Sequence, residues 1–200
     1  MGDKTLSVVI LAGGRGRRLG QDKAALPFGG GTLLQHVVDH LSALTDDVIA
    51  VVRRDQTLTV RGARMVADRR PEGGALVGIG TGLQAARYAW SLVVACDMPF
   101  ISLPLVRYMR ALTRCHDIVV PHVEAGYEPL HALYHRRCAA EVWQALDSGQ
   151  HRLISFHTGL RVREIGQAQL DAYDPQGRSF YNINTPEDLA QASGWLRTKG

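Results

Sequence analysis

An apolar segment close to the start of the chain runs directly into a loop rich in glycine and arginine. The segment reads Leu6-Ser7-Val8-Val9-Ile10-Leu11, and the loop continues as Ala12-Gly13-Gly14-Arg15-Gly16-Arg17-Arg18-Leu19-Gly20-Gln21-Asp22-Lys23. The apolar residues predict a buried strand. Glycine lets backbone N–H groups approach an anion closely, and the arginines and lysine supply positive charge. A strand that ends in such a loop indicates a phosphate site, and we expect a nucleotide there.

Two widespread phosphate-binding motifs do not match this loop. A dinucleotide-binding loop needs a glycine three residues after Gly16, where this chain has Leu19 and reaches its next glycine one residue late. A P-loop needs a glycine before its lysine and a serine or threonine after it, whereas Lys23 stands between Asp22 and Ala24. Both classes of nucleotide-binding protein are therefore excluded.

Strand-like apolar runs alternate with helical patterns through the first two thirds of the chain, which is typical of βαβ units around a largely parallel sheet. Strands are predicted at about 6–11, 47–52, 65–67, 92–96, 117–121 and 131–135, with a hairpin at 124–127. Helices are predicted after the N-cap Thr32, near 76–88, 103–113 and 137–146, and after the N-cap Thr185. We expect a single Rossmann-like α/β domain over residues 1–200, with a mostly parallel central sheet and helices on both faces.

Composition limits the cellular setting and the partners. No apolar run approaches the length of ~18 residues that spans a membrane, and the N-terminal segment lacks the layout of a signal peptide. The cysteines, Cys96, Cys115 and Cys138, are odd in number and form no C-x-x-C motif, which argues against a disulfide framework. We expect a cytoplasmic protein with no membrane partner. The net charge of +4 fits a local phosphate site, and no nucleic-acid motif is present.

Three unusual residues stand where predicted strands end. Gly13, Asp68 and Asp97 each close an apolar run, and ligands of open α/β sheets bind outside the carboxyl ends of the strands. A proline two residues after Asp97 turns the chain away from the strand. Asp97 is therefore predicted to coordinate Mg²⁺ shared with substrate phosphates. The alternative is an aspartate that only stabilises the turn.

The motifs resemble those of the molybdenum cofactor guanylyltransferases, the molybdopterin-guanine dinucleotide biosynthesis protein A family of the nucleotidyltransferase superfamily. The resemblance covers most of the chain, through LAGGRGRRLGQDKA at 11–24, GALVG at 74–78, CDMP at 96–99, PLHALY at 129–134 and FYNINTPEDL at 180–189. The pair Gly13-Gly14, together with Asp22-Lys23, favours the guanylyl branch over cytidylyl relatives, which usually read L-A-A-G. Gly16 replaces the serine of the family motif, and Arg53-Arg54 stands where some relatives have an asparagine that helps to bind the nucleotide.

The resemblance implies transfer of GMP from GTP to the phosphate of molybdenum-bound molybdopterin, which forms molybdopterin guanine dinucleotide and pyrophosphate. It implies that Lys23 holds the phosphates and that Mg²⁺ binds Asp97. Since two anions must be aligned and neutralised, Arg18 is predicted to act with Lys23 and Asp97 as a catalytic residue. The nucleotide-binding residues that the resemblance implies are Leu11, Ala12, Gly13, Gly14, Lys23, Asp68 and Asp97. Asn182 and Asn184 are candidates for the acceptor side, although capping of the last helix explains them equally well. We expect residues of about 1–100 to bind the nucleotide and those of about 101–200 to bind the acceptor.

Other interpretations remain open at this point. A molybdopterin cytidylyltransferase or a sugar-1-phosphate nucleotidyltransferase would use the same chemistry with another nucleotide or acceptor. A GTP-binding module without turnover belongs to a different class and would release no pyrophosphate. The expected partners are GTP, molybdopterin and proteins of cofactor biosynthesis or molybdoenzyme maturation.

Overall fold

The computed structural model describes residues 5–14 and 22–197. The strands are β1 (Leu6–Leu11), β2 (Pro27–Phe28), β3 (Gly31–Thr32), β4 (Val48–Val52), β5 (Arg64–Ala67), β6 (Trp90–Ala95), β7 (Ile118–Val123), β8 (Gly126–Tyr127), β9 (His131–His135) and β10 (Val162–Ile165). The helices are α1 (Leu33–Leu41), α2 (Ala75–Ala85), α3 (Leu103–Ala111), α4 (Cys138–Asp147), α5 (Gln167–Tyr173) and α6 (Pro186–Arg197). Short 3-10 turns lie at Lys23–Ala25, Ser155–His157 and Arg178–Phe180.

The main sheet has the order β10-β7-β9-β6-β1-β4-β5, and β8 pairs with β7 as a short hairpin. β1 lies parallel to both β4 and β6, and β5 lies parallel to β4. β9 is antiparallel to its neighbours β6 and β7. The carboxyl ends of β1, β4, β5 and β6 therefore meet at one edge of the sheet. The predicted single α/β domain with a mostly parallel sheet is confirmed.

The two faces of the sheet are covered by different helices. Val8 and Ile10 of β1 pack into a core cluster with residues of α1, α3 and α5, whereas Val9 packs into a second cluster with α2 and α4. This alternation is that of a strand buried on both sides. It confirms the prediction of helices on both faces.

α2 approaches β1 closely through glycines. A Cβ on Gly82 would lie 2.2 Å from Val9 Cγ1, and one on Gly78 would lie 3.0 Å from Leu11 Cδ2. Only residues without a side chain allow this approach. As a result the first turn of α2 lies directly beside the carboxyl end of β1.

Two of the predicted N-caps are present in the structure, at the starts of α1 and α6. Thr32 Oγ1 accepts a hydrogen bond from Gln35 N (3.2 Å), and Thr185 Oγ1 accepts one from Asp188 N (3.1 Å). The Asp188 carboxylate in turn accepts from the backbone N–H groups of Asn184 and Thr185, each at 2.8 Å. This reciprocal arrangement is a capping box, which places the start of α6.

Several predicted boundaries were wrong, two of them for identifiable reasons. α2 ends at Ala85 rather than near Tyr88, because Arg87 N donates to the Asp47 carboxylate and Tyr88 N donates to Ser7 Oγ. The strand predicted at 47–52 begins at Val48, because the Asp47 side chain turns to Ser7. The strand predicted at 65–67 begins one residue earlier. β10 and α5 were not predicted, and neither were the short strands β2 and β3. Within the described residues, no helix has the length and apolarity needed to cross a membrane.

Candidate active site

A cavity of about 430 Å³ opens at the edge of the sheet where β1, β4, β5 and β6 end. This volume lies within the range of small-molecule sites in proteins. The cavity is lined by Leu11, Gly13, Gly14, Lys23, Val51, Asp68, Gly74, Ala75, Gly78, Ala95, Cys96, Asp97, Leu130 and Asn184. Its walls are largely apolar, and its charged groups stand at separate points, so it suits a ligand with an apolar body and a charged end.

Lys23 joins three distant parts of the chain at one side of this cavity. Its Nζ atom donates to Asp97 Oδ2 and to Asn184 Oδ1, both at 2.6 Å. The side chains of Lys23 and Asp97 are only 14% and 16% exposed, so water screens this ion pair weakly. Ile183 N also donates to Asp97 O (2.9 Å), which brings the segment before α6 over the end of β6. Lys23 is therefore a cationic group that is held in a fixed position and is largely shielded from water.

Asp97 keeps one carboxylate oxygen without a partner. Oδ2 pairs with Lys23, but Oδ1 is buried and has no hydrogen-bond partner among the described residues. A buried oxygen without a hydrogen bond lowers the stability of the fold, and in native structures such an atom commonly binds a ligand or an ion. Mg²⁺ is typically held by one or two carboxylates together with phosphate oxygens and water. Asp97 fits that role, whereas within the described ranges no three side chains form a protein-only metal site.

Asp68 is the second buried carboxylate of the cavity, and its surroundings differ. Burial raises the pKa of its carboxyl group to about 6, while the charges of Arg53 and Arg54 act in the opposite direction. Its Oδ1 atom is buried and lacks a hydrogen-bond partner among the described residues. A Cβ on Gly13 or on Gly73 would lie within 4 Å of Oδ2, so glycines leave room around this carboxylate. Asp68 is therefore a poorly solvated hydrogen-bond acceptor, and glycines lie beside its carboxylate.

The first turn of α2 completes the cavity between the two carboxylates. Gly74 is the N-cap, with φ of 100°, and no side chain of a described residue caps the helix. The left-handed conformation of Gly74 requires glycine. Uncapped N–H groups at a helix start attract anions and acceptor atoms. Gly74 and Ala75 line the cavity, so the start of α2 forms part of its wall.

The structure brings most of the predicted site residues together. Leu11, Gly13, Gly14, Lys23, Asp68, Asp97 and Asn184 line the cavity. Ala12 is fully buried behind it, and its carbonyl oxygen accepts from Gln56 Nε2 at 2.9 Å. Asn182 does not line the cavity, because its amide donates to Phe180 O at 3.1 Å. Arg18 lies outside the described residues.

Sequence reasoning missed several residues around the cavity. Val51 and Leu130 form apolar walls, and each stands at or beside a strand end, which was an available signal. Arg53, which stands near the position of the asparagine in some relatives, donates from Nη1 to Gly13 O at 2.8 Å. No local pattern in the sequence identifies that contact, because the two residues are forty positions apart.

Comparisons with known proteins agree with the geometry. A family model described as the MobA-like NTP transferase domain matches residues 8–162. A probable molybdenum cofactor guanylyltransferase of Pelotomaculum thermopropionicum is 37% identical over 92% of this chain and 90% of its own length. A molybdenum cofactor guanylyltransferase of Desulfosudis oleivorans is 35% identical over 94% of this chain and 95% of its own.

A solved structure shares the whole fold. The crystal structure of molybdopterin-guanine dinucleotide biosynthesis protein A from Archaeoglobus fulgidus superposes with a TM-score of 0.82 and is 26% identical in sequence. The match covers 96% of this chain and 99% of that one. The likeness therefore extends over nearly the whole chain.

Proposed function

Because this chain belongs to the MobA-like NTP transferase family, we propose that it transfers GMP from GTP to the phosphate of molybdenum-bound molybdopterin and releases pyrophosphate. The similarity to two guanylyltransferases over nearly the full chain supports this function. The observation that carries the proposal is the partly buried Lys23–Asp97 pair in a cavity whose other end holds Asp68, whose Oδ1 atom has no hydrogen-bond partner among the described residues. One end suits a polyphosphate, and the other suits a base with N–H donors.

The phosphate end aligns two anions that repel each other. An oxygen of the acceptor phosphate attacks the α-phosphorus of GTP, a new P–O bond forms, and the bond to pyrophosphate breaks. The attacking group is already an anion, so no covalent intermediate with the protein is required. Lys23 would bind and orient the triphosphate, and Arg18 would add positive charge. Asp97 would hold Mg²⁺, which when bound neutralises charge on phosphate oxygens.

The base end would distinguish guanine through Asp68. Guanine presents two adjacent N–H donors, N1–H and N2–H, which an ionised carboxylate can accept together. Adenine lacks this pair of donors, so it would leave the buried carboxylate unsatisfied. Sites that bond a specific N–H reject ligands that lack it by large factors. Gly13, Gly74 and Gly78 line the cavity, so backbone atoms would lie close to the base.

The acceptor side is proposed from Asn184. Its amide oxygen holds Lys23, so this residue would fix the lysine between the two substrates. We assign nucleotide binding to residues of about 1–100 and acceptor binding to those of about 101–200, with Lys23 and Asn184 as the meeting point. An acceptor contact from Asn182, a cytoplasmic location and binding of other proteins of the pathway stay predictions.

The test is pyrophosphate release with each of the four nucleoside triphosphates, measured with and without molybdenum-loaded molybdopterin and Mg²⁺. The proposal expects release only with GTP and the acceptor together. Release with CTP would favour the cytidylyl alternative, and release with a sugar 1-phosphate in place of molybdopterin would favour a sugar nucleotidyltransferase. GTP binding without any release would indicate a non-catalytic module.

A further inference from the structure

The chain segment directly after β4 forms a small turn, residues 53–56. This turn contacts both ends of the loop that joins β1 to Lys23, which we call the phosphate loop. Gln56 N donates to Arg53 O (3.2 Å), and Arg53 N donates to Gln56 Oε1 (3.1 Å). These two bonds fold residues 53–56 onto themselves. The side chains of Arg53 and Gln56 then project from one rigid turn, and we call this pair the clamp.

The clamp holds the start of the phosphate loop by its carbonyl groups. Arg53 Nη1 donates to Gly13 O (2.8 Å), and Gln56 Nε2 donates to Ala12 O (2.9 Å). Ala12 N donates the last hydrogen bond between this chain segment and β4, to Val51 O (2.8 Å). Beyond this bond, the clamp rather than the sheet holds the backbone. Carbonyl oxygens carry partial negative charge, and their bonds to the clamp reduce their repulsion of a bound phosphate.

The same two side chains hold the other end of the loop through Asp22. Gln56 Nε2 donates to Asp22 Oδ2, and Arg53 Nη2 lies 3.8 Å from that oxygen. The second oxygen, Asp22 Oδ1, accepts from Ala24 N (3.1 Å) and so caps the turn that carries Lys23. Asp22 thus transmits the position of the clamp to the lysine one residue later.

We propose that Arg53 and Gln56 are positioning residues for nucleotidyl transfer, which fix the separation between Gly13 and Lys23. This inference rests on the proposed function, because it concerns the placement of Lys23 against the triphosphate. The residue at position 13 is part of the arrangement, since a Cβ there would lie 3.3 Å from Arg53 Cγ. Neither clamp residue reaches the reacting atoms in this account. They act through Asp22 and the two carbonyl groups.

The kinetic test compares four variants with the wild type. Arg53→Ala and Gln56→Glu should each lower kcat for GTP by about ten- to hundredfold, the effect expected when a reacting group is misplaced by around 1 Å, while KM for the acceptor stays within about twofold. Gln56→Glu is nearly isosteric, but it places an acceptor against the Ala12 carbonyl and the Asp22 carboxylate. Arg53→Lys keeps one charged donor and should recover part of the loss.

The matched control is Arg61→Ala. Arg61 is exposed on the same connection between β4 and β5, and its backbone exchanges two hydrogen bonds with the Gln35 side chain. This variant should turn over like the wild type. Clamp variants with wild-type kcat would overturn the inference, and so would an equal loss in the control.

A second measurement does not depend on the enzymatic activity. Hydrogen exchange of a peptide covering residues 22–26 in the ligand-free protein should be faster in Arg53→Ala and Gln56→Glu than in the wild type and in Arg61→Ala. The reason is that the Ala24 amide depends on the position of Asp22. Unchanged exchange would refute the clamp even if the protein transfers GMP. Faster exchange in a protein without transferase activity would support the clamp and reject the proposed function instead.

Discussion

Replacement of Asp68 by asparagine should stabilise the free protein at neutral and alkaline pH, by an amount that grows from about pH 3.8 and levels off above about pH 6. Burial raises the pKa of this carboxyl group from its ordinary value of 3.8 to about 6. Below pH 3.8 the group is protonated in both the folded and the unfolded protein, so it affects stability little. Between pH 3.8 and 6 the unfolded chain releases its proton first, and the ionised form destabilises the folded state increasingly. Above pH 6 that penalty is complete.

The size of the effect follows from the pKa. A rise of about two units corresponds to roughly 3 kcal/mol, at 1.36 kcal/mol per unit. Asparagine is neutral and has nearly the same shape, but it brings an amide that also needs hydrogen bonds, which reduces the gain. We therefore expect Asp68→Asn to raise the free energy of unfolding by about 1–3 kcal/mol at pH 8 and by close to zero at pH 4.

Urea unfolding followed by tryptophan fluorescence at the two pH values measures this difference. Asp171→Asn is the control, because that carboxylate is exposed on α5 and its replacement should change stability little at either pH. An Asp68→Asn protein no more stable than the wild type at pH 8 would refute the reasoning. An equal gain at pH 4 and pH 8 would also refute it, because the cause would then not be the ionisation of Asp68.

The same variant tests the proposed role of Asp68 in base selection. An amide can still accept from one guanine N–H, but its own NH₂ group opposes the second donor. We expect the preference for GTP over ATP, measured as the ratio of kcat/KM values, to fall at least about tenfold. A more stable protein with lower selectivity would show that the unsatisfied carboxylate is retained for binding rather than for folding.

Three further variants address the phosphate end and the glycine beside it. Lys23→Ala should lower kcat/KM for GTP by about two to three orders of magnitude, as expected for loss of one charged contact to the transition state; a loss below tenfold in pyrophosphate release would contradict this role. Asp97→Asn should keep the fold by circular dichroism and lose most of its Mg²⁺-dependent turnover, and full activity would reject the metal assignment. Gly13→Ala should lose part of its preference for GTP over CTP and part of its kcat, since the added methyl group would lie 3.3 Å from Arg53 Cγ and press on the clamp; an unchanged ratio of kcat/KM values would count against it.

The parts of the fold that could be predicted from the sequence are those with local causes. The apolar run of β1, the apolar run of β6 shortly before Asp97 and the threonine caps of α1 and α6 each depend on neighbouring residues. The early end of α2 could not be predicted in this way, because it results from hydrogen bonds of Arg87 and Tyr88 to side chains more than 35 positions away. β10 was not predicted because two of its four residues are charged and exposed, which is typical of a strand at the edge of a sheet.

The residues of the candidate site also divide into those that the sequence could place and those that it could not. Gly13, Asp68 and Asp97 could be placed at one edge because parallel strands end together. The contacts of Lys23 could not, because Asp97 and Asn184 lie 74 and 161 positions away in the chain. The roles of Arg53 and Gln56 also required the structure, since a polar turn after a strand gives no sign that it faces the loop rather than solvent.

The different partners of the two carboxylates determine how a nucleotide can lie in the cavity. Lys23 already balances the charge of Asp97, and a cation bound there would make this end attractive to a triphosphate. Asp68 forms no ion pair with another described residue and is poorly solvated, and its pKa stays raised despite the charges of Arg53 and Arg54. A triphosphate placed at that end would therefore lack the direct contact with Lys23 and would bring negative charge against a poorly solvated carboxylate. The orientation with the triphosphate at Lys23 is therefore favoured before any base-specific contact forms. Selection of guanine by Asp68 then acts on a nucleotide that the charge distribution has already oriented.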